Sequence, residues 1–256
     1  MANRTNRASN ELRSVTIEPH FLKHPEGSVL IRCGDTAVIC TATVDDKVKD
    51  WLRGRGRGWV TAEYAMLPRA NAQRTLREGQ FGRWPAGRSQ EIQRLVGRCL
   101  RGAVWPARIG ERTITIDCDV IQGDGGTRTA SITGGFVALA IALDKMMKEG
   151  KITSPPLKNR VAAVSVGIVK GEALLDLDYS EDSTADVDLN LAAVDDGNII
   201  EIQGTAEGKS YSKDELITLT DLALKGVTDL MAIQERAMIE AGIDPNALIE
   251  KRGDLK

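Results

Sequence analysis

The amino-acid sequence predicts an α+β fold rather than a doubly wound sheet. Strand-like runs are grouped at the start of the chain and again after residue 160, on either side of two central helical patterns. A doubly wound sheet would instead alternate strands and helices along the whole chain. The length of 256 residues and the 42% hydrophobic content suit one large domain or two small ones.

The first part of the chain is predicted to form strands followed by a long loop. Residues 27–44 contain two β-rich runs around Gly34-Asp35, which is a hairpin signal, and residues 58–67 form another β-rich run. Residues 68–87 show no period and contain several glycines and prolines. Long loops in compact domains are usually functional or disordered, so this loop is a candidate binding segment.

Two helices and a strand are predicted in the middle of the chain. Residues 89–104 carry an apolar stripe at helical spacing, with Arg94, Arg98 and Arg101 on the opposite side. Residues 112–121 alternate strictly between apolar and polar side chains, as in a half-buried strand. Residues 130–150 are almost entirely apolar and should form a buried helix.

The C-terminal part is predicted to return to strands and to finish with a long helix. Strands are expected at 161–169, 173–178 and 185–194, and a turn at Asp196-Gly197 leads into another strand. Ser212 and Glu215 have the spacing of a capping box for a helix over 213–241.

Composition argues against several kinds of site. The four cysteines contain no C-x-x-C pair and lie in apolar stretches, which indicates buried thiols in a reducing compartment. His20 and His24 lie beside prolines and are expected in an exposed loop, so a histidine triad is disfavoured. No apolar run approaches the ~20 residues of a membrane helix, and the polar N-terminus lacks a signal-peptide core. We therefore expect a cytoplasmic protein without a membrane partner.

The positive charge is concentrated in one segment and is carried by arginine alone. Residues 51–112 contain 13 arginines, no lysine and 4 acidic residues, whereas 10 lysines follow from residue 145 onward. Arginine grips phosphate through two hydrogen bonds, whereas lysine is a point charge. A polyanionic partner is the favoured interpretation, and a compositional bias is the alternative.

A glycine-rich segment, DGGTRTAS at 124–131, joins a predicted strand to a predicted helix. A helix N-terminus presents unpaired N–H groups to an anion, and glycines let the anion approach the backbone. Arg128 and the hydroxyls of Thr127, Thr129 and Ser131 could add contacts. The lysine of an ATP-binding P-loop is missing. Taken alone, the segment fits a phosphate site and a tight structural turn about equally well.

Several longer motifs resemble the ribonuclease PH family. They are RSQEIQRLVGR (88–98), DCDVIQGDGGTRTASITG (117–134), EDSTADVD (181–188) and IIEIQGTAEG (199–208), with GSVLIRCGDTAVICTATV and GWVTAEYAMLPRA before them. The resemblance runs in order from about residue 3 to residue 240. It implies a ribonuclease PH-like βαβ fold, shared with the second domain of ribosomal protein S-five, as a single compact domain over 1–242. Residues 243–256 are then a C-terminal tail.

The resemblance implies a phosphorolytic 3′→5′ exoribonuclease and tRNA nucleotidyltransferase that trims tRNA precursors and acts in tRNA and rRNA processing. It implies inorganic phosphate as co-substrate, Mg²⁺ as cofactor and a homohexamer built as a trimer of dimers. Arg88, Gly126, Thr127 and Arg128 would bind phosphate, and Asp182 and Asp188 would be catalytic as metal ligands or as a general acid. Periodicity alone does not distinguish Asp182 from Glu181 or Asp178.

The low aromatic content of 4% leaves little surface for base stacking, so RNA should be held by arginine contacts to its backbone. The predicted RNA-binding residues are Arg69, Arg74, Arg77, Arg94 and Arg98; the alternative for the first three is surface ion pairs. Two other functions are considered. A non-catalytic RNA-binding ring subunit should lack one of Arg88, Arg128, Asp182 or Asp188, and a small-molecule kinase of related fold should bind ATP.

Overall fold

A computed structural model describes residues 4, 7–78, 87–207 and 209–250. These residues form two β-sheets and six α-helices. The strands are β1 Val15–Pro19, β2 Gly27–Cys33, β3 Thr36–Asp45, β4 Trp59–Met66, β5 Thr113–Gln122, β6 Val161–Val169, β7 Glu172–Leu175, β8 Val187–Val194 and β9 Ile199–Ala206. The helices are α1 Gly87–Gly102, α2 Pro106–Ile109, α3 Thr127–Lys148, α4 Tyr179–Asp182, α5 Lys213–Glu240 and α6 Pro245–Leu248.

The first sheet has the strand order β1-β2-β3-β5-β4. Its neighbours are antiparallel except for β4 and β5, which run parallel because α1 carries the chain back between them. Ile114, Ile116, Cys118 and Val120 of β5 face one side, where they are buried, and Asp117 and Asp119 face the other side, as the alternation predicts. The βαβ unit therefore places the end of β5 beside the end of β4.

The second sheet is antiparallel, with the order β7-β6-β8-β9. All nine residues of β6 are buried because α3 covers one face of the strand and α5 covers the other. On β8, Leu189 and Leu191 face α5, whereas Asp188 and Asn190 face the opposite side, toward α3.

The two sheets enclose the central helix α3, with α1 beside it and α5 on the far side of the second sheet. By length and composition α3 could span a membrane, but 83% of its most apolar window is buried within the fold. Its apolar character is explained by this position, since a helix with neighbours all round has no solvent face.

Most of the predicted elements are confirmed. The hairpin at 27–44, the strand at 58–67, the central helices and the capping box of Ser212 and Glu215 are all present. The four cysteines are buried and reduced, and the two histidines are exposed, as predicted. Residues 79–86 of the predicted loop and residues 251–256 of the predicted tail lie outside the described residues.

Three local features were not predicted or differ from the prediction, each for a physical reason. Strand β1 was not predicted, because only Ile17 of its five residues is buried and the alternation is too short to detect. Strand β7 ends at Leu175, since Asp176 adopts a left-handed backbone conformation with φ 56°. Arg101 does not lie on an open face: its guanidinium stacks over Trp59 at 4.3 Å and donates to the Val60 carbonyl at 2.8 Å.

The start of the predicted tail is packed against the core. Ile243 and Leu248 are buried, and the Leu157 amide donates to the Leu248 carbonyl at 3.0 Å. Arg108 pairs with Glu250 nearby. The boundary at residue 242 stays a prediction, but residues 243–250 add apolar contacts to the fold.

Candidate active site

The glycine-rich loop connects β5 to the N-terminus of α3 and leaves that helix end open. Gly126 is the N-cap residue and no side chain caps the helix, so its first N–H groups are available to an anion. Gly125 and Gly126 have φ 74° and 66°, which disfavours any residue with a Cβ. A Cβ on Gly125 would lie 2.5 Å from the Leu177 carbonyl oxygen, so this position also requires glycine for space.

Two side chains hold the glycine-rich loop through hydrogen bonds to its backbone. The Thr36 hydroxyl donates to the Gly125 carbonyl at 2.7 Å and accepts from the Asp124 amide at 2.8 Å. The Arg13 guanidinium donates to the Asp124 carbonyl at 2.5 Å. These bonds fix the loop backbone without occupying the open end of the helix.

The hydroxyls of the first turn of α3 are used inside the fold. Thr129 Oγ1 donates to the Gly126 carbonyl at 2.9 Å, and Ser131 Oγ donates to the Thr127 carbonyl at 2.8 Å. Both residues are buried, so the prediction that their hydroxyls contact the anion is wrong. Thr127 Oγ1 lies 2.9 Å from the buried Tyr64 hydroxyl, and because this contact uses only one of the two hydroxyl protons, the other can donate to a further acceptor.

The two predicted phosphate-binding arginines approach this helix end from different elements. Arg128 is on the first turn of α3, with 18% of its side chain exposed; its Nη1 donates to Gln203 Oε1 at 3.1 Å and lies 3.6 Å from Glu91 Oε1. Arg88 is exposed on the first turn of α1. Each arginine is close enough to influence the charge of Tyr64 and of both predicted catalytic aspartates.

The two aspartates lie near the arginines, one on α4 and the other on the second sheet. Asp182 ends α4, a single turn whose N-cap is Asp178, and Asp188 projects from β8 beside Asn190. Burial, followed by the charge of Asp182, raises the pKa of Asp188 to about 6. Burial also raises the pKa of Asp182, against the opposing effect of the arginines. The fold thus brings together Arg88, Arg128, Asp182 and Asp188, which lie on four different elements.

The aspartate pair suits a magnesium ion that is shared with a bound phosphate. Within the described residues no group of three or more metal-ligating side chains forms a complete cage. Mg²⁺ in phosphate-handling sites usually takes one or two carboxylates and completes its shell with phosphate oxygens and water. Burial, followed by the charge of Asp182, raises the pKa of Asp188, and a divalent cation beside these carboxylates would offset both effects.

The predicted RNA-binding arginines lie around the site rather than in it. Arg69, Arg74 and Arg77 are exposed on the loop after β4. That loop contacts the segment that leads into the glycine-rich loop, since the Gly123 amide donates to the Ala70 carbonyl at 2.9 Å. Arg94 is exposed on α1, and Arg98 is paired through two hydrogen bonds with Glu201. RNA would have to compete with Glu201 for Arg98.

Several residues that support the site were not predicted. Thr36 and Arg13 contact the glycine-rich loop, Tyr64 contacts Thr127 at the start of α3, and Gln203 on β9 holds Arg128. Tyr64 and Gln203 lie in segments that were predicted as strands, where one polar side chain gives no sign of its partner. Arg13 lies in a polar N-terminal segment without a recognisable period.

We expect Gln203→Leu to weaken the binding of inorganic phosphate by about 3- to 10-fold, less than the loss of a direct hydrogen bond to a charged group, because Gln203 acts only through Arg128. The variant would release Arg128 toward Glu91, which competes with an anion for the same guanidinium. The matched control, Glu91→Gln, removes that competitor and should bind phosphate at least as tightly as the wild type. Calorimetric titration with phosphate measures both, and equal weakening in both variants would contradict the assignment of these roles.

The sequence matches the two family models of the 3′ exoribonuclease family, domain 1 over residues 11–143 and domain 2 over residues 159–226. Among curated proteins it is 56% identical to ribonuclease PH of Neisseria meningitidis serogroup B (strain ATCC BAA-335 / MC58), over 93% of this chain and 98% of that protein. It is 55% identical to ribonuclease PH of N. meningitidis serogroup C, serotype 2a (strain ATCC 700532 / DSM 15464 / FAM18), with the same coverage.

Solved structures with the same fold are more distant in sequence. Rice (Oryza sativa) Rrp46 superposes with a TM-score of 0.72 at 16% identity, over 90% of this chain and 97% of that chain. A chain of the Archaeoglobus fulgidus exosome with RNA bound to the active site superposes with a TM-score of 0.72 at 22% identity, over 88% and 90% of the two chains. These likenesses support the predicted fold class.

Proposed function

Because the chain belongs to the 3′ exoribonuclease family, we propose that it is a phosphorolytic 3′→5′ exoribonuclease that trims the 3′ ends of tRNA precursors. Inorganic phosphate is the co-substrate and the products are nucleoside diphosphates. The observation that carries the proposal is the meeting of Arg88 and Arg128 with Asp182 and Asp188 at an uncapped helix N-terminus.

The reaction is a single exchange at phosphorus. An oxygen of inorganic phosphate attacks the phosphorus of the last phosphodiester and forms a new P–O–P bond. The bond from that phosphorus to the 3′ oxygen of the preceding nucleotide breaks, and this oxygen takes a proton to become the new 3′ hydroxyl. The released nucleotide leaves as a nucleoside diphosphate, and the RNA is shorter by one residue.

The main difficulty of this reaction is repulsion between two anions. Phosphate is already a nucleophile near neutral pH, so a histidine base is not required. Arg88, Arg128 and the first N–H groups of α3 provide positive charge in fixed positions around the phosphate. The same groups hold the phosphate in line with the scissile bond, which reduces the entropy lost in the transition state.

The aspartates act on the leaving side of the reaction. Asp182 and Asp188 would hold Mg²⁺, which offsets charge on the scissile phosphate and on the 3′ oxygen. The raised pKa of Asp188, about 6, also suits a proton donor to that oxygen. A pH–rate profile measured at several Mg²⁺ concentrations separates the two roles, because only a metal ligand has an apparent pKa that falls as Mg²⁺ rises.

The two other functions have less support. A non-catalytic ring subunit would not need the four charged residues that meet at α3. A kinase would need to hold a nucleoside triphosphate, and the loop has no P-loop lysine. The proposed reaction is tested by incubating RNA with and without phosphate: nucleoside diphosphates should appear only with phosphate, and a nucleoside diphosphate should extend RNA in the reverse direction. Nucleoside monophosphates released equally well without phosphate would exclude phosphorolysis.

The loop arginines are proposed to hold the folded body of tRNA rather than the end being cut. The triple variant Arg69→Ala, Arg74→Ala, Arg77→Ala should lose affinity for tRNA precursors, with a salt dependence that is shallower by up to about three counterions. Cleavage of a short single-stranded oligonucleotide at saturating phosphate should be nearly unchanged. Equal losses on both substrates would instead place these arginines at the active site or in the fold.

A homohexamer in the cytoplasm, built as a trimer of dimers, is part of the same proposal. Apolar side chains on the edge strand β9 support self-association, since Ile199 and Ile202 are 43% and 44% exposed. Sedimentation should give a mass close to six times the 27.7 kDa of the chain. A monomer that is fully active on tRNA precursors at low concentration would contradict the hexamer.

A further inference from the structure

The segment before β1 contacts both halves of the proposed active site through three arginines. One half is the proposed phosphate loop, residues 124–126, and the other is the turn that carries Asp182. Arg4, Arg7 and Arg13 all point to the crevice between the first sheet and α4, where their side chains are 6%, 11% and 7% exposed. Each would be costly to bury without partners. The partners they find are the backbone of the phosphate loop and the turn that carries Asp182.

Arg13 contacts both halves at once. Its Nη1 donates to the Asp124 carbonyl at 2.5 Å and its Nη2 to the Gly125 carbonyl at 3.4 Å, in the phosphate loop. Its Nε and Nη2 donate to the two carboxylate oxygens of Asp176 at 3.1 and 2.7 Å, and its backbone amide adds a third bond at 2.9 Å. One planar guanidinium therefore bridges the loop that faces the nucleophile and the segment that enters α4.

These bonds hold Asp176 in an unusual backbone conformation. It is 5% exposed and has φ 56°, a left-handed conformation that a non-glycine residue rarely adopts. It directly follows β7 and redirects the chain toward α4, whose last residue is Asp182. The position of Asp182 thus depends on a turn that Arg13 helps to fix.

Arg4 and Arg7 secure the same turn at Glu181. Arg4 binds both oxygens of that carboxylate, at 2.6 and 2.7 Å, and Arg7 binds one of them at 3.0 Å. Glu181 completes the capping box of α4 by accepting from the Asp178 amide at 3.1 Å, and it directly precedes Asp182. Both arginines also donate to the carbonyls of Leu175 and Asp176.

We propose that Arg13 is a positioning residue that sets the distance between the bound phosphate and the aspartate pair, with Arg4 and Arg7 fixing the aspartate side. This inference rests on the proposed function. Arg13 touches neither substrate: it acts through the Asp124 and Gly125 carbonyls on one side and through Asp176 on the other. A lysine could satisfy Asp176 but has no planar fork with which to reach both carbonyls as well.

The test compares Arg13→Lys with the double variant Arg13→Met, Asp176→Asn. The double variant leaves no unpaired buried charge, and asparagine tolerates the left-handed conformation, so it should fold. In both, the phosphate KM should rise about tenfold and turnover should fall, the scale expected when reacting groups are displaced by a fraction of an ångström. Arg13→Lys should be the milder of the two. The matched control is Arg160→Lys, which disturbs ion pairs with Asp195 and Glu235 away from the site; it should leave the phosphate KM unchanged.

Circular dichroism and thermal melting establish that each variant is folded before kinetics are measured. A purely structural role for Arg13 would reduce the amount of active protein and leave the phosphate KM within twofold of wild type, and that result in folded variants would overturn the proposal. Failure of the wild type itself to release nucleoside diphosphates would overturn the proposed function instead. The two failures are therefore distinguishable in one set of assays.

Discussion

Replacing Asp188 by asparagine should lower turnover by about 100-fold or more, the range expected when a catalytic acid or its charge is removed. Asparagine keeps the shape of the side chain but loses the negative charge that faces Arg128 and Asp182. The phosphate KM should change much less, because the phosphate is held by groups on α1 and α3. Single-turnover phosphorolysis of a short oligonucleotide at saturating phosphate measures the effect; a variant with near-normal turnover would remove Asp188 from the catalytic residues.

The same substitution should make the protein more stable at alkaline pH. Burial and Asp182 raise the pKa of Asp188 to about 6 in the folded state, from 3.8 for an ordinary aspartate. The folded protein therefore holds this proton more tightly than the unfolded chain, and stability is lost as the pH rises from about 4 to about 6. Above that window Asp188→Asn should raise the free energy of unfolding by about 1–3 kcal/mol.

Urea unfolding at pH 8 and at pH 4.5, with a chelator present, measures this gain. The difference between variant and wild type should be largest at pH 8 and should shrink toward pH 4.5, where the wild-type carboxyl is protonated in the folded state. An inactive variant that is also less stable at pH 8 would indicate a structural role for Asp188.

Replacing Arg128 by alanine should raise the phosphate KM by about 10- to 100-fold, the equivalent of one or two hydrogen bonds to a charged group. Arg128 is largely buried and held by Gln203 beside the open end of α3, so water cannot easily replace it. Arg88→Ala should have a smaller effect in the same direction, because Arg88 is exposed. Turnover at saturating phosphate should fall less than the KM rises.

Arg94→Ala is the matched control for this prediction. Arg94 lies on α1 with Arg88 and is also exposed, but it is assigned to RNA rather than to phosphate. Its replacement should leave the phosphate KM unchanged. If Arg94→Ala raised that KM as much as Arg128→Ala did, general surface charge would explain the result and Arg128 would lose its specific role.

The sequence was sufficient to predict the fold class and the glycine-rich turn that leads into α3. Two strong local patterns made this possible: the strict alternation of β5 and the apolar length of α3, with glycines at 125 and 126 between them. Such patterns report burial and backbone conformation directly. The loop's two supports, Thr36 and Arg13, could not be predicted because both contacts join residues about 90 or more positions apart.

The aspartate side of the site was less predictable for a related reason. Alternation places Asp188 on a polar face of β8, but only the packing of the second sheet against α3 turns that face toward Arg128. Asp178, Glu181 and Asp182 share one short turn, and the structure gives the first two capping and ion-pair partners. Asp182 is the member of this turn that faces both arginines.

The most direct measurement of the central claim follows the phosphorus atom itself. Wild-type enzyme is incubated with a tRNA precursor and ³²P-labelled inorganic phosphate, and the released nucleotides are separated and degraded. If phosphate held at α3 is the nucleophile, the label must appear in the β-phosphate of the nucleoside diphosphate, one atom for each nucleotide removed. Unlabelled nucleoside monophosphates released at the same rate would contradict phosphorolysis.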